Sequence, residues 1–215
     1  MSTPLKAVIF DLGNVLVSFD TMRAASRISA FTDKKPEEIF SRVFGAVKLL
    51  KSFEEGRLSP QDFFSKIKKI LRLSLSYKAF KPVWNEIFFL TQDNISTAQI
   101  AARLRQEYIV ALLSNTNVLH FEYIKKQYAL FDIFPDIFTS FEAHLTKPHP
   151  QIYIQAMKAL GVAPPETFYV DDRADLVAKA RLLGIRAFVY QGTAQLKKDL
   201  ASCGVKIEEI NENNE

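Results

Sequence analysis

The sequence VIFDLGNVLV, residues 8–17, decides the fold that we expect for this chain. It is an apolar run that carries one carboxylate, Asp11, and then a Gly-Asn pair before a second apolar run. An apolar run without polar alternation is typical of a parallel strand covered on both faces. Asp11 then falls at the carboxyl end of that strand, where open α/β sheets bind their ligands. The simpler interpretation is that Asp11 only caps the turn or a following helix.

Composition and charge limit the class of protein. The chain has 215 residues, 48% of them hydrophobic, which is enough for one large domain or for a domain with a small insert. The net charge of +4 favours an anionic ligand, but the lysines are spread out and do not indicate nucleic acid. The single cysteine, Cys203, excludes an internal disulfide framework. No apolar run has membrane-spanning length, and Asp11 interrupts the first one, so we expect a cytoplasmic protein without a signal peptide.

The segment 18–93 differs from the rest of the chain. Its apolar residues recur at helical spacing, for example at Ile39, Val43 and Val47. Helix starts are indicated at Pro36 and at Ser59-Pro60, where proline takes the first helical position. Because no strand pattern is evident, we predict an all-helical insert over 18–93.

Helices and strands alternate after residue 93. The pattern predicts a first strand over 6–12 and later strands over 108–113, 137–140, 167–170 and 185–190. Helices are predicted between and after these strands. Such alternation is typical of a doubly wound α/β fold, a parallel sheet with helices on both faces. We therefore predict a Rossmann-like core domain made of residues 1–17 and 94–215, with the helical insert after its first strand.

Polar side chains follow several of these predicted strands. They are Asp11, then Ser114 and Asn115, then Asp171 and Asp172, with Lys147 in a loop between them. In a doubly wound sheet the carboxyl ends of the strands share one edge, so these side chains can meet there.

This set of side chains suits the chemistry of phosphate. Carboxylates that lie close together raise one another's pKa unless a cation neutralises them, and an all-oxygen site beside a phosphate suits Mg²⁺. A lysine charge and a serine hydroxyl, as in Lys147 and Ser114, would hold phosphate oxygens. A carboxylate can also act as a nucleophile and form an aspartyl phosphate. Asp11 is the candidate because it is the lone acid of the first strand.

Each side chain also has a simpler interpretation. Ser114, Asn115 and the Asp171-Asp172 pair could cap the helices that follow them, and Lys147 could be a surface lysine. The three histidines have no spacing that suggests a metal site, so we expect them to be structural or exposed. The order of the motifs, with one at each expected strand end or adjoining loop, favours a common phosphate site.

Four segments in this order resemble the haloacid dehalogenase-like (HAD) hydrolases. They are FDLGNVLV with Asp11, LLSNTN with Ser114, TKPHPQIY with Lys147, and FYVDDRADLVAKARLLG with Asp171 and Asp172. The resemblance covers nearly the whole chain, and the helical insert is similar to the type-1 cap domain of that family. More narrowly, FDLGNVLV, LLSNTN and the FEEGRLS segment resemble the subgroup that contains a bacterial α-D-glucose-1-phosphate phosphatase.

The resemblance implies a Mg²⁺-dependent phosphatase for a small phosphorylated metabolite, for example a sugar phosphate such as glucose 1-phosphate. Asp11 would be the nucleophile, and Ser114 and Lys147 would bind the phosphoryl group. The backbone carbonyl of Gly13 would be a Mg²⁺ ligand. Asp172 would be a direct Mg²⁺ ligand. Asp171 would either bind Mg²⁺ as well or support the residues that do.

One departure from the family pattern concerns the general acid. The usual first motif is DxDGT, whose second Asp moves the proton, and this chain has Gly13 at that position. General acid catalysis contributes about 10²–10⁴-fold to a rate. We expect either an anomeric phosphate, whose leaving group is more acidic, or a proton supplied by Glu54 or Glu55 of the cap. Asn14 replaces a glycine of the motif, and asparagine tolerates the positive φ of such a turn.

Two other functions are compatible with this pattern. A catalytically weak, phosphate-binding or regulatory protein would explain Gly13. A 2-haloacid dehalogenase would also use an aspartate nucleophile, but it needs no metal, so the retained Asp171 and Asp172 argue against it.

Overall fold

The structure is a computed structural model that describes residues 3–205. Residues 1–2 and 206–215 of the predicted core domain therefore lie outside the described residues. The strands are β1 (Ala7–Phe10), β2 (Ser18–Phe19), β3 (Phe88–Phe89), β4 (Ile109–Ser114), β5 (Asp136–Thr139), β6 (Thr167–Asp171) and β7 (Arg186–Val189). Five of them form one parallel sheet in the order β5-β4-β1-β6-β7. The chain moves outward from β1 on one side and then on the other, as in a doubly wound fold.

Helices fill the intervals between the strands. They are α1 (Thr21–Ser29), α2 (Pro36–Val43), α3 (Val47–Glu54), α4 (Pro60–Leu71), α5 (Tyr77–Asn85), α6 (Gln92–Leu104), α7 (Val118–Gln127), α8 (Ser140–Ala143), α9 (Pro150–Leu160), α10 (Ala174–Leu182) and α11 (Thr193–Ser202). The predicted start at Ser59 is confirmed, because its hydroxyl accepts a hydrogen bond from the backbone of Asp62 at 3.1 Å. Within residues 3–205, no helix combines the length and the apolar character needed to cross a bilayer.

Strand β1 lies at the centre of the sheet because both of its faces are apolar. Val8 and Phe10 pack on one side in a cluster with side chains of α6, α7 and α11. Ile9 packs on the opposite side with side chains of α9 and α10. The sheet is thus buried on both faces, which confirms the predicted α/β fold.

The register of the central strands brings their carboxyl ends to one edge. Phe10 pairs with Leu112 of β4 on one side and with Val170 of β6 on the other. The residue after Phe10 is Asp11, and β6 ends at Asp171, so the two acids lie at the same level of the sheet. This common edge was predicted from the strand ends alone.

Helices α1–α5 pack around an apolar cluster of their own, which includes Phe63, Phe80 and Trp84. The helical character predicted for 18–93 is confirmed, but the segment is not all-helical. Strands β2 and β3, near its two ends, pair antiparallel where the chain enters and leaves the cap. Two-residue strands carry no alternating pattern, which is why the sequence gives no sign of them. The boundaries of the two domains stay a prediction.

Candidate active site

The turn after β1 fixes the position of Asp11. The backbone N–H of Asp11 continues the sheet by donating to the carbonyl of Val170 at 2.9 Å. Asn14 then adopts φ 55°, and its N–H donates to the carbonyl of Val17 at 2.7 Å. Asparagine tolerates this left-handed conformation, so the turn persists without the glycine of the family motif.

Lys147 lies at the centre of the predicted site rather than on the surface. Its Nζ atom is 2.7 Å from Oδ1 of Asp11 and 2.7 Å from Oδ2 of Asp171. It also donates to the carbonyl of Leu113 at 2.8 Å and to the hydroxyl of Tyr169 at 3.0 Å. The side chain is 1% exposed. A buried ammonium with two carboxylate partners is held in one position, which excludes the interpretation of a solvated surface lysine.

The loop that carries Lys147 is held by Asn115. The Oδ1 atom of Asn115 accepts from the N–H of Lys147 at 2.7 Å, and its Nδ2 donates to the carbonyl of the same residue at 2.9 Å. Both ends of the Asn115 amide bind the backbone of Lys147, so this side chain positions the lysine. Asn115 also lines the cavity described below, and its role in binding substrate stays a prediction.

Asp171 is fully buried and bonded through both oxygens. Its Oδ2 accepts from Lys147 and from the hydroxyl of Tyr169, and its Oδ1 accepts from the N–H of Arg173 at 2.9 Å. Burial and the neighbouring Asp171 raise the pKa of Tyr169, so this phenol stays protonated and donates. Sequence reasoning missed Tyr169, because a tyrosine inside an apolar strand is indistinguishable there from a packing residue.

The charges of the site depend on one another. Burial raises the pKa of Asp11 to about 7; Lys147 opposes this rise and Asp171 adds to it. Burial alone would lower the pKa of Lys147, but Asp11 and Asp171 together raise it above its usual value. The lysine is therefore charged at neutral pH, and the carboxylates lack enough positive charge around them.

Asp11, Asp171 and Asp172 fit a divalent cation. Each offers a carboxylate oxygen, and these atoms all lie within 4.8 Å of one another. Three carboxylates and the ammonium of Lys147 leave a net charge of −2 when all are ionised. Clustered carboxylate oxygens with this deficit match the hard, oxygen-preferring Mg²⁺ ion. Among residues 3–205 this cluster consists of the three aspartates.

A cavity of about 120 Å³ lies beside the acids, between the cap and the core. The core contributes Gly13 and Ser114, which is buried at the end of β4. The cap contributes Glu54 and Trp84, and most of the remaining wall is aromatic or aliphatic. A small leaving group bonded to a phosphate would fit this position.

The two predicted cap acids differ in their surroundings. Glu54 lines the cavity, and burial raises its pKa to about 7; Arg173 opposes the rise and Glu55 adds to it. Glu55 is buried elsewhere, with its carboxylate 3.1 Å from Nε of Arg57 and 3.2 Å from the hydroxyl of Thr146. The substrate-binding prediction for Glu55 therefore needs correction, because its carboxylate ties the cap to the core and is not part of the cavity wall.

Residues 5–182 match a family described as haloacid dehalogenase-like hydrolase. A D-ribitol-5-phosphate phosphatase of Bacteroides thetaiotaomicron is 26% identical over 204 residues, covering 91% of this chain and 97% of the relative. A phosphatase of Mycobacterium tuberculosis is 28% identical over 208 residues, covering 93% of this chain and 95% of the relative.

The chain is also similar to a solved structure that contains bound groups. It is a HAD family enzyme of Bacteroides thetaiotaomicron in complex with magnesium and inorganic phosphate. The two structures superpose with a TM-score of 0.76 at 27% identity, over 87% of this chain and 95% of the other.

Proposed function

The chain belongs to the haloacid dehalogenase-like hydrolase family, and from this membership we propose that it hydrolyses a small sugar or polyol phosphate through an aspartyl phosphate on Asp11. The phosphatase class and Mg²⁺ as cofactor, both predicted from the sequence, are confirmed by the family, its relatives and the acid cluster. The substrate and the roles of individual residues are our proposal.

One observation carries the proposal: Lys147 binds Asp11 and Asp171 at equal distances of 2.7 Å, beside a cavity that reaches Ser114. This arrangement holds the Asp11 carboxylate in a fixed position with one oxygen bonded. A fixed carboxylate can attack phosphorus, and the ammonium beside it stabilises the charge of the phosphoryl oxygens.

The chain's own groups account for the first step. An Asp11 oxygen attacks the phosphorus atom, and the bond from phosphorus to the leaving oxygen breaks. Lys147 and the Ser114 hydroxyl hold the phosphoryl oxygens during the transfer. Mg²⁺ would be held by Asp11, Asp171, Asp172 and the Gly13 carbonyl, and it would supply positive charge to the transferring phosphoryl group.

The second step regenerates the enzyme. A water molecule attacks phosphorus on the aspartyl phosphate, the bond to the Asp11 oxygen breaks, and phosphate leaves. The dephosphorylated alcohol must leave the cavity before this step. A small and weakly bound alcohol favours that release.

The cavity supports a small, partly apolar leaving group. Its volume of about 120 Å³ is close to that of cavities that hold a single benzene-sized molecule. Aromatic walls from Trp84 and Phe88 suit the C–H faces of a sugar or polyol. The relative named for D-ribitol 5-phosphate supports a polyol phosphate, and glucose 1-phosphate stays in the same proposal as the sugar alternative.

The test is a phosphate-release screen of the purified chain with Mg²⁺ over sugar and polyol phosphates, including glucose 1-phosphate and ribitol 5-phosphate. Asp11→Asn is the control, and a chloroacid without Mg²⁺ is the arm for a dehalogenase. We expect Mg²⁺-dependent turnover of at least one phosphate that is lost in Asp11→Asn. A chain that binds beryllofluoride but releases no phosphate from any ester would instead be a phosphate-binding regulator.

A further inference from the structure

We propose that Glu54 of the cap protonates the leaving oxygen and thereby replaces the acid that is missing at Gly13. The inference rests on the proposed phosphatase function and adds a catalytic residue to it. Four features of the structure support it: the space beside Gly13, the wall of the cavity, the anchoring of Glu54, and the charges that face it.

The space beside Gly13 is already filled. A Cβ atom built on Gly13 would lie 2.9 Å from Cε1 of Phe19, too close for an unshifted side chain. The Phe19 ring, at the start of the cap, therefore occupies the position from which the family's usual acid would extend. Since position 13 carries no carboxylate, a proton for the leaving group must come from another residue.

Glu54 is the cap acid that lines the cavity. It is the last residue of α3, and Gly13 and Ser114 line the same cavity. Among the described residues, no other Asp or Glu belongs to this wall. Glu55 does not compete for the role, because its carboxylate is held by Arg57 and Thr146.

The backbone of Glu54 is anchored to the core beside the phosphate-binding segment. The buried hydroxyl of Ser140 lies 2.6 Å from the Glu54 carbonyl and 2.9 Å from the carbonyl of Thr116, and it accepts from the Thr116 N–H at 3.0 Å. Thr116 follows Ser114 by two residues. One hydroxyl thus couples the position of Glu54 to the strand end that would bind the phosphoryl group.

The residues after Glu54 reinforce this anchoring. The carbonyl of Glu55 is 2.9 Å from Nδ1 of His144. Gly56 packs so closely on the core that a Cβ atom there would lie 2.4 Å from the carbonyl of Phe141. A cap segment that contacts the core at successive residues holds the backbone of Glu54 in place, which suits a proton donor.

The charges around Glu54 suit an acid at neutral pH. Arg173 and Glu55 are the charged groups that act on it, with opposite signs, and burial dominates over both. The resulting pKa of about 7 leaves an appreciable protonated fraction at neutral pH, near the optimum for general acid catalysis.

The proton balance closes over the two steps. As Asp11 attacks phosphorus and the bond to the leaving oxygen breaks, the Glu54 carboxylic acid gives its proton to that oxygen and the alcohol leaves. As water then attacks the aspartyl phosphate, the Glu54 carboxylate takes a proton from the water. Phosphate leaves, the Asp11 carboxylate re-forms, and Glu54 is again protonated.

The test compares leaving groups in Glu54→Gln. The leaving oxygen of an alkyl phosphate needs a proton. The leaving group of p-nitrophenyl phosphate does not, because p-nitrophenolate is a stable anion. With Mg²⁺ we expect kcat/KM, which reports the step in which the leaving group departs, to fall about 10²–10⁴-fold for the best alkyl phosphate and less than about 10-fold for p-nitrophenyl phosphate. The fall in wild-type kcat/KM for the alkyl phosphate as pH rises should also disappear. Glu86→Gln, which removes an exposed cap carboxylate paired with Arg27, is the matched control.

Binding of beryllofluoride with Mg²⁺ to Glu54→Gln shows that the phosphate site of the variant is intact. If Glu54→Gln fails to fold, Glu54→Asp takes its place in the same comparison of leaving groups. Equal losses of kcat/KM with both leaving groups, or no loss with either, would overturn the role of Glu54 as the acid. Absence of any Asp11-dependent phosphate release in the wild type would instead overturn the proposed function.

Discussion

The side-chain amide of Asn14 donates a hydrogen bond to Oδ2 of Asp172 at 2.9 Å. This bond joins the turn after the first strand to the acid pair at the end of β6, across 158 positions of the chain. Asn14 therefore does more than tolerate a left-handed backbone, because its amide also fixes the orientation of a predicted metal ligand.

Asn14→Gly isolates the contribution of this amide. Glycine accepts φ 55° without strain, so the turn persists while the bond to Asp172 is lost. Groups that orient metal ligands typically contribute 10–100-fold to metal affinity. We expect the Mg²⁺ concentration for half-maximal activity to rise at least about 10-fold, with the melting temperature nearly unchanged. An unchanged Mg²⁺ requirement would show that Asp172 needs no support from Asn14.

Lys147→Met should destabilise the fold strongly in Mg²⁺-free buffer. The substitution leaves Asp11 and Asp171 buried without their cation, and breaking a buried pair in this way costs about 3–5 kcal/mol. Urea unfolding measures the loss, and Mg²⁺ should offset part of it by binding the same acids. Lys66→Met, on an exposed face of α4, should change stability by less than about 0.5 kcal/mol. A loss below about 1 kcal/mol for Lys147→Met would contradict the buried ion network.

His120 should make the fold sensitive to acid. It stacks on Trp84 with ring centroids 5.3 Å apart, and burial lowers its pKa to about 4, against a smaller opposing effect of the Trp84 backbone. Its pKa in the unfolded chain is about 6.5. Because the folded value is the lower one, the unfolded chain takes up the proton first as the pH falls.

The sign and the size of this effect follow directly. The contribution of neutral His120 is fully present above about pH 6.5 and is lost as the pH falls towards 4, by up to about 3 kcal/mol. Urea unfolding at each pH gives the free energy of unfolding of the wild type and of His120→Gln. The difference between the two isolates His120 from the other titrating groups. A difference that stays constant from pH 7 to 4 would show that His120 is not held neutral.

Ser140→Ala should weaken both the fold and the chemistry. The variant removes the hydroxyl that binds the Glu54 carbonyl and both backbone groups of Thr116, so buried polar groups lose a partner at a cost of about 1–3 kcal/mol. If the hydroxyl positions Glu54, kcat/KM for an alkyl phosphate should fall more than kcat/KM for p-nitrophenyl phosphate. Ser65→Ala, on an exposed face of α4, is the control. Equal losses with both substrates would assign Ser140 to stability alone.

The sequence was sufficient for the architecture because the signals are periodic and local. The apolar run before Asp11 identifies the central strand, and the polar residues after later strands mark the shared edge of the sheet. Asp11, Ser114, Lys147, Asp171 and Asp172 were all recognisable as candidates in this way.

What the sequence could not supply are contacts between distant segments. Whether Glu54 or Glu55 faces the cavity depends on how the end of α3 docks on the core, and two adjacent acids in a sequence give no sign of that. The roles of Tyr169 and Ser140 likewise arise from burial beside partners that lie far along the chain. Phe19 fills the space beside Gly13 only because β2 returns the chain towards the first turn.

The central claim is that Asp11 carries the phosphoryl group, and borohydride trapping tests it most directly. Wild-type chain turning over its best phosphate ester with Mg²⁺ is quenched and treated with borohydride, which reduces an acyl phosphate of aspartate to homoserine, and the peptide is analysed by mass spectrometry. We predict homoserine at position 11, and only when both substrate and Mg²⁺ are present. Phosphate release without any modification of Asp11 would contradict the account.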